Sequence, residues 1–151
     1  MIDDPGAYEQ TLLSVLRAHS AAAVSSLQRI DRTLPEKARG LLIMVHLPQD
    51  AEGLFSVIVH LEGPDAYALQ NAMGQDRTLF NVRFVEGRVV PDVPLFDPFD
   101  QPFDVNDAIV DAVMIWMTEV WAAFGGLGKR LPVRVLSPDG FGRRQSLTLA
   151  P

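Results

Sequence analysis

With 151 residues and 48% hydrophobic content, the chain has material for one domain with a proper core and too little for two. It has no cysteine, which excludes disulfide staples, thiolate zinc sites and cysteine nucleophiles and fits a cytoplasmic location. The net charge of −6 is uneven: residues 125–151 hold five Lys and Arg against one acid, Asp139, while the rest of the chain is strongly acidic. That balance disfavours nucleic acid as the main partner and suits a basic protein, or a homodimer that pairs the two patches.

The amino terminus is acidic and polar, unlike a secretory signal. Residues 7–34 then predict one long helix. Tyr8, Leu12, Val15 or Leu16, Ala23, Leu27, Ile30 and Leu34 recur at three- and four-residue multiples, with Asp3, Asp4 and Pro5 as its start and Pro35 as its stop.

Leu41–Pro48 and Leu54–Leu61 predict a hairpin around the polar turn QDAEG. Its odd positions are wholly apolar and face a helix. Its even positions, among them Met44, His46, Ile58 and His60, make a mixed face suited to a second layer or a partner subunit. In a simple hairpin register His46 and His60 stand too far apart to share a metal.

Gly63-Pro64-Asp65 opens a short helix that runs to Met73, with Pro64 at its first position and Gly74 as its stop. Leu79–Glu86 alternates again, with Phe80, Val82 and Phe84 toward the core and Asn81 and Arg83 outward. Glu86-Gly87 turns the chain into a short strand, RVV.

PDVPLFDPFDQPFD follows, with Pro91, Pro94, Pro98 and Pro102 and three Phe-Asp pairs. Proline at this density forbids a regular helix and favours a stiff, extended arm. Two uses fit it: a strap over the protein's own core, or a recognition arm using Phe96, Asp97, Phe99, Asp100 and Phe103. The spacing of Asp97, Asp100, Asp104 and Asp107 matches no calcium loop.

Residues 104–124 predict one helix, apolar nearly all round and carrying both tryptophans, so it must be buried on most sides. Asp111 and Glu119 interrupt it and it is too short to cross a bilayer. Asp104 or Asn106 caps it. Asp104, Asp107 and Asp111 share one face, and Asp111, deep in an apolar helix, is the carboxylate to watch. Gly125-Gly126 ends the helix and does not form a phosphate loop. A second hairpin, PVRVL and RQSLTLAP, carries Arg134, Arg143 and Arg144, which could contact an anion.

No nucleophile elbow, dinucleotide fingerprint or zinc motif is present, so no catalytic residue, metal or cofactor is expected. The run from Gly63-Pro64-Asp65 through Pro94-Leu95-Phe96-Asp97 to Val105-Asn106-Asp107 resembles an uncharacterised bacterial family. More loosely, a small acidic α+β chain with a long first helix is similar to class I secretion chaperones, homodimers that hold client segments; that group ends on a helix where this chain ends on a hairpin.

The expected fold is one α+β domain spanning residues 1–151: a mainly antiparallel sheet of five or six strands, packed by the long N-terminal helix and the apolar helix at 104–124. The expected function is a non-catalytic protein-binding module, chaperone-like adaptor or immunity-type protein, homodimeric and off the membrane. The alternative is a small-ligand-binding protein or metal-dependent hydrolase using the Asp104, Asp107 and Asp111 face.

Overall fold

The computed structural model describes residues 2–48 and 50–149. Gln49 of the expected first turn, and Ala150 and Pro151 of the expected last strand, lie outside them.

The N-terminal helical region is two helices rather than one: α1 (Pro5–Ala18) and α2 (Ser20–Thr33). Asp4 caps α1 by accepting the Ala7 N–H at 3.0 Å, with Pro5 pre-set for the first turn. The break falls at His19. Its Nδ1 lies 2.9 Å from the Val15 carbonyl, while its own backbone N–H turns back to Leu16. The side chain thus takes the acceptor that a continuing helix would use. The apolar stripe steps from Leu16 to Ala23, seven residues on and in phase with an unbroken helix, so periodicity alone does not reveal the break.

β1 (Gly40–His46) and β2 (Ser56–Glu62) form the expected hairpin, with Leu42 opposite His60 and His46 opposite Ser56. α3 (Ala66–Met73) begins after Asp65, so Pro64 lies in the preceding turn rather than at the first helical position. A short 3-10 turn, Gly74–Arg77, leads into β3 (Thr78–Asn81).

The alternating run then splits. Val82 donates its N–H to the Phe55 carbonyl, and the chain leaves as a separate ribbon of β4 (Arg83–Val85) and β5 (Arg88–Val90). Phe80 and Val82 are buried as expected, but Phe84 is 54% exposed because the ribbon carries it off the core. After the arm come α4 (Val105–Phe124), β6 (Val133–Leu136) and β7 (Ser146–Leu149).

The main sheet has five strands in the order β3-β2-β1-β6-β7. All neighbours are antiparallel except β1 and β6, which run parallel, so the sheet is mixed. Its inner face presents Leu41, Ile43, Val45, Val57, Val59, Val133 and Val135, all fully buried. α4 lies in this core with α1 and α2 packed on it. Trp116 is buried between Phe80, at 6.0 Å between ring centroids, and Ser20, whose Oγ accepts the indole N–H at 2.9 Å. Among the described residues no helix is long and apolar enough to cross a membrane.

Candidate functional site

The arm, residues 91–104, is strapped down at its two ends and lifted in its middle. Phe96 and Phe103 are partly buried against Tyr8, with ring centroids 5.0 and 5.5 Å away, and stand 5.4 Å from each other. Phe96 donates its N–H to the Glu52 carbonyl at 2.8 Å, and the Gln101 amide donates to the Ala51 carbonyl at 2.6 Å. The strap lies so close to the β1–β2 loop that a Cβ on Gly53 would stand 2.8 Å from the Pro94 carbonyl oxygen.

Between these anchors the chain makes a tight turn. The Asp97 carboxylate accepts the Phe99 N–H at 2.9 Å and the Asp97 carbonyl accepts the Asp100 N–H at 3.1 Å. The turn holds Phe99 out at 96% exposure, flanked by the exposed Asp97 and Asp100. Of the three arm phenylalanines, two are anchors and one is a tip.

Asp104, Asp107 and Asp111 do lie along one side of α4, but each accepts a backbone N–H. Asp104 caps the helix through the Asp107 N–H at 3.2 Å. Partial burial pushes the Asp104 carboxyl above its ordinary range, with the neighbouring Asp107 adding to the effect, while the hydrogen bond from the Asp107 N–H opposes it. Asp107 accepts the Gly142 N–H at 2.7 Å, and Asp111 accepts the Arg143 N–H at 2.8 Å with the Arg143 guanidinium 3.5 Å away. The last two carboxylates therefore pin the β6–β7 loop to α4.

Of the three arginines expected on one hairpin, Arg143 and Arg144 line a trough beside α4. Arg134 is not with them: it stands on the outer sheet face, in register with Leu42 and Thr148. The trough has a volume of about 260 Å³. Met114, Ile115 and Leu147 supply its apolar lining and Glu9 of α1 faces it. It continues into a groove of about 450 Å³ that reaches Phe103, the two sharing Glu9, Asp111 and Arg143.

On the outer sheet face, Met44 and Ile58 are cross-strand neighbours and half-buried, with Leu42 and Leu136 beside them. The expected separation of His46 and His60 is overturned. Although offset along the strands, their rings lean together until the Nε2 atoms are 3.1 Å apart. Two residues that sequence reading passed over complete the cluster. Gln70 of α3 places its Oε1 3.0 Å from His60 Nδ1, and Arg77 lies 3.2 Å from the same nitrogen while donating to the Val59 carbonyl. Burial lowers the His60 pKa, and the charges of Arg77 and His46 lower it further, against the hydrogen bond to Gln70. Nothing in the spacing of residues 66–77 signals this, because it depends on how α3 folds back over β2. Among the described residues no group of three or more His, Asp or Glu converges as a metal site.

These features define a single α+β domain with a strapped acidic arm, a basic-lipped trough and a half-exposed sheet face. Residues 4–151 match the model of a family of unknown function, DUF6389, and the chain belongs to that family. No curated protein and no solved structure matches it.

Proposed function

We propose that the protein is a non-catalytic, cytoplasmic protein-binding module that engages its partner through the arm tip, Phe99 with Asp97 and Asp100. The observation that carries this reading is the near-complete exposure of Phe99 on a turn whose flanks are fastened down. A large apolar side chain held in water by a rigid scaffold is costly to the free protein and inexpensive to immobilise on binding. The flanking carboxylates suit a basic surface with an apolar slot, and an adaptor, chaperone-like or toxin-neutralising role is the reading we attach to such a contact. Asp104, Asp107 and Asp111 are engaged with backbone amides, which gives a hydrolase reading little support.

The test is capture from host lysate by tagged wild type and by Phe99→Ala, including capture of native copies of the same chain. A stoichiometric partner held by wild type and lost by the variant is the expected result. Equal capture by both overturns the reading.

A second surface has an observation of its own: Leu42, Met44, Ile58 and Leu136 form a half-exposed aliphatic patch beside His46 and His60. Ile58→Glu tests it in the same assay, and a partner retained by that variant removes the patch from consideration.

A further inference from the structure

We propose that the trough beside α4 is the docking site for the arm tip of a second copy of this chain, exchanged reciprocally in a homodimer. The inference rests on the reading of Phe99 as the contact residue and adds what receives it.

Three observations carry it. The first is fit. Ile115 is a large aliphatic side chain left 41% exposed on the outer side of α4, beside the exposed Thr118 and Glu119, and with Met114 and Leu147 it lines a trough roomy enough for one aromatic ring. The second is charge. Arg143 and Arg144 edge the trough, and Asp97 and Asp100 flank Phe99. Asp111 is already matched by Arg143, and among the described residues Arg144 has no carboxylate partner, so the trough offers a free guanidinium to an incoming acid.

The third is placement. The arm runs directly into the cap of α4, and the trough lies further along the same helix, joined to Phe103 by the continuous groove. Donor and acceptor surfaces therefore flank one stretch of one helix, a disposition that suits both contacts forming together about a single twofold axis. The arm cannot fill its own trough in this conformation, because Phe96, Gln101 and Phe103 fasten its base while Phe99 stands in solvent.

One group opposes the docking. Glu9 faces the trough from α1 and repels an acidic tip.

Sedimentation equilibrium of the full chain over a wide concentration range is the test, with circular dichroism to show each variant folded. Wild type is expected to dimerise reversibly. Phe99→Ala and Arg144→Glu should each raise the dimer Kd roughly tenfold or more, as loss of a central contact does, and Glu9→Gln should lower it. Asp100→Arg should also fail to dimerise, yet mixing it with Arg144→Glu should restore a heterodimer. That heterodimer has one native contact and one charge-swapped contact, whereas each homodimer has both contacts broken.

A wild-type chain that stays monomeric at the highest concentration overturns the proposal, as does a dimer indifferent to both Phe99→Ala and Arg144→Glu. The two readings fail separately. If self-association is absent while Phe99→Ala still abolishes lysate capture, the tip binds another protein and only the self-docking is wrong. If lysate capture ignores Phe99, the tip itself is not the contact.

Discussion

The Nε2 atoms of His46 and His60 meet at 3.1 Å although the strands place His46 opposite Ser56 and His60 opposite Leu42. At that distance one imidazole must donate and the other accept, so the pair accommodates at most one extra proton before two N–H groups oppose each other. Arg77, a permanent cation beside His60 Nδ1, raises the cost of protonating that ring.

The sign of the resulting pH dependence follows. Burial, then the nearby charges, hold the folded His60 pKa below its ordinary value of 6.5. A lowered pKa means that the fold favours neutral His60. Its contribution is complete above the unfolded pKa and is lost as pH falls through the lower, folded value. Urea unfolding of wild type and His60→Gln should therefore show the wild-type midpoint falling faster than the variant's as pH drops from about 7.5 to about 5. Parallel midpoints would remove His60 from the acid response.

Gly142 should resist substitution more than any other turn glycine in the second hairpin. It sits at φ +90°, and an added Cβ would stand 2.6 Å from Val110 Cγ1, a side chain locked in the core. Strain and overlap together predict a loss of about 2–4 kcal/mol for Gly142→Ala by urea titration. Gly140, at φ +80° with only the Gln145 side chain nearby, supplies the control: Gly140→Ala should lose about 1 kcal/mol.

Asp111 is predicted to act as a fastener. Asp111→Ala removes the acceptor of the Arg143 N–H and should cost about 1–2 kcal/mol while raising amide hydrogen exchange in residues 141–145. Asp111→Asn retains an acceptor oxygen and should recover most of the loss. A folded Asp111→Ala protein with unchanged exchange would mean that the loop is held by other contacts.

Tyr8 offers a test with the opposite sign. Its ring anchors Phe96 and Phe103, yet its fully buried hydroxyl finds no hydrogen-bond partner among the described residues, and burial pushes the phenol well above its ordinary pKa range. Tyr8→Phe keeps the ring and removes a desolvated hydroxyl, so it should stabilise the protein by about 1 kcal/mol in thermal or urea unfolding. A destabilised variant would mean that the hydroxyl is satisfied in solution.

Much of the architecture was legible from pattern. The alternation of Leu41, Ile43 and Val45 against Val57, Val59 and Leu61 gives the central hairpin its buried face, and the near-continuous apolarity of 108–124 marks α4 as the core helix. What escaped was decided by non-local contacts. The α1–α2 break keeps the phase of the stripe, so only the His19 side chain reveals it. Phe84 has the right parity for the core, but parity ends where Val82 bonds to Phe55 and the ribbon departs. For the site, proline spacing identified the arm but could not separate the anchors Phe96 and Phe103 from the tip Phe99, because that depends on Tyr8 of a distant helix. The parallel pairing of β1 with β6 leaves no local sequence trace at all.

That parallel pairing sets an order of events as the chain is made. β1 meets β2 at once, across a short loop, but its other edge stays open until residues 47–132 and then β6 have left the ribosome. Until then β1, the middle of the finished sheet, is an unprotected apolar border able to pair with a neighbouring chain. The sheet cannot be completed before β6 arrives, so variants that weaken α4 should reveal themselves first as poor recovery of intact protein from cells, before any loss in the finished fold.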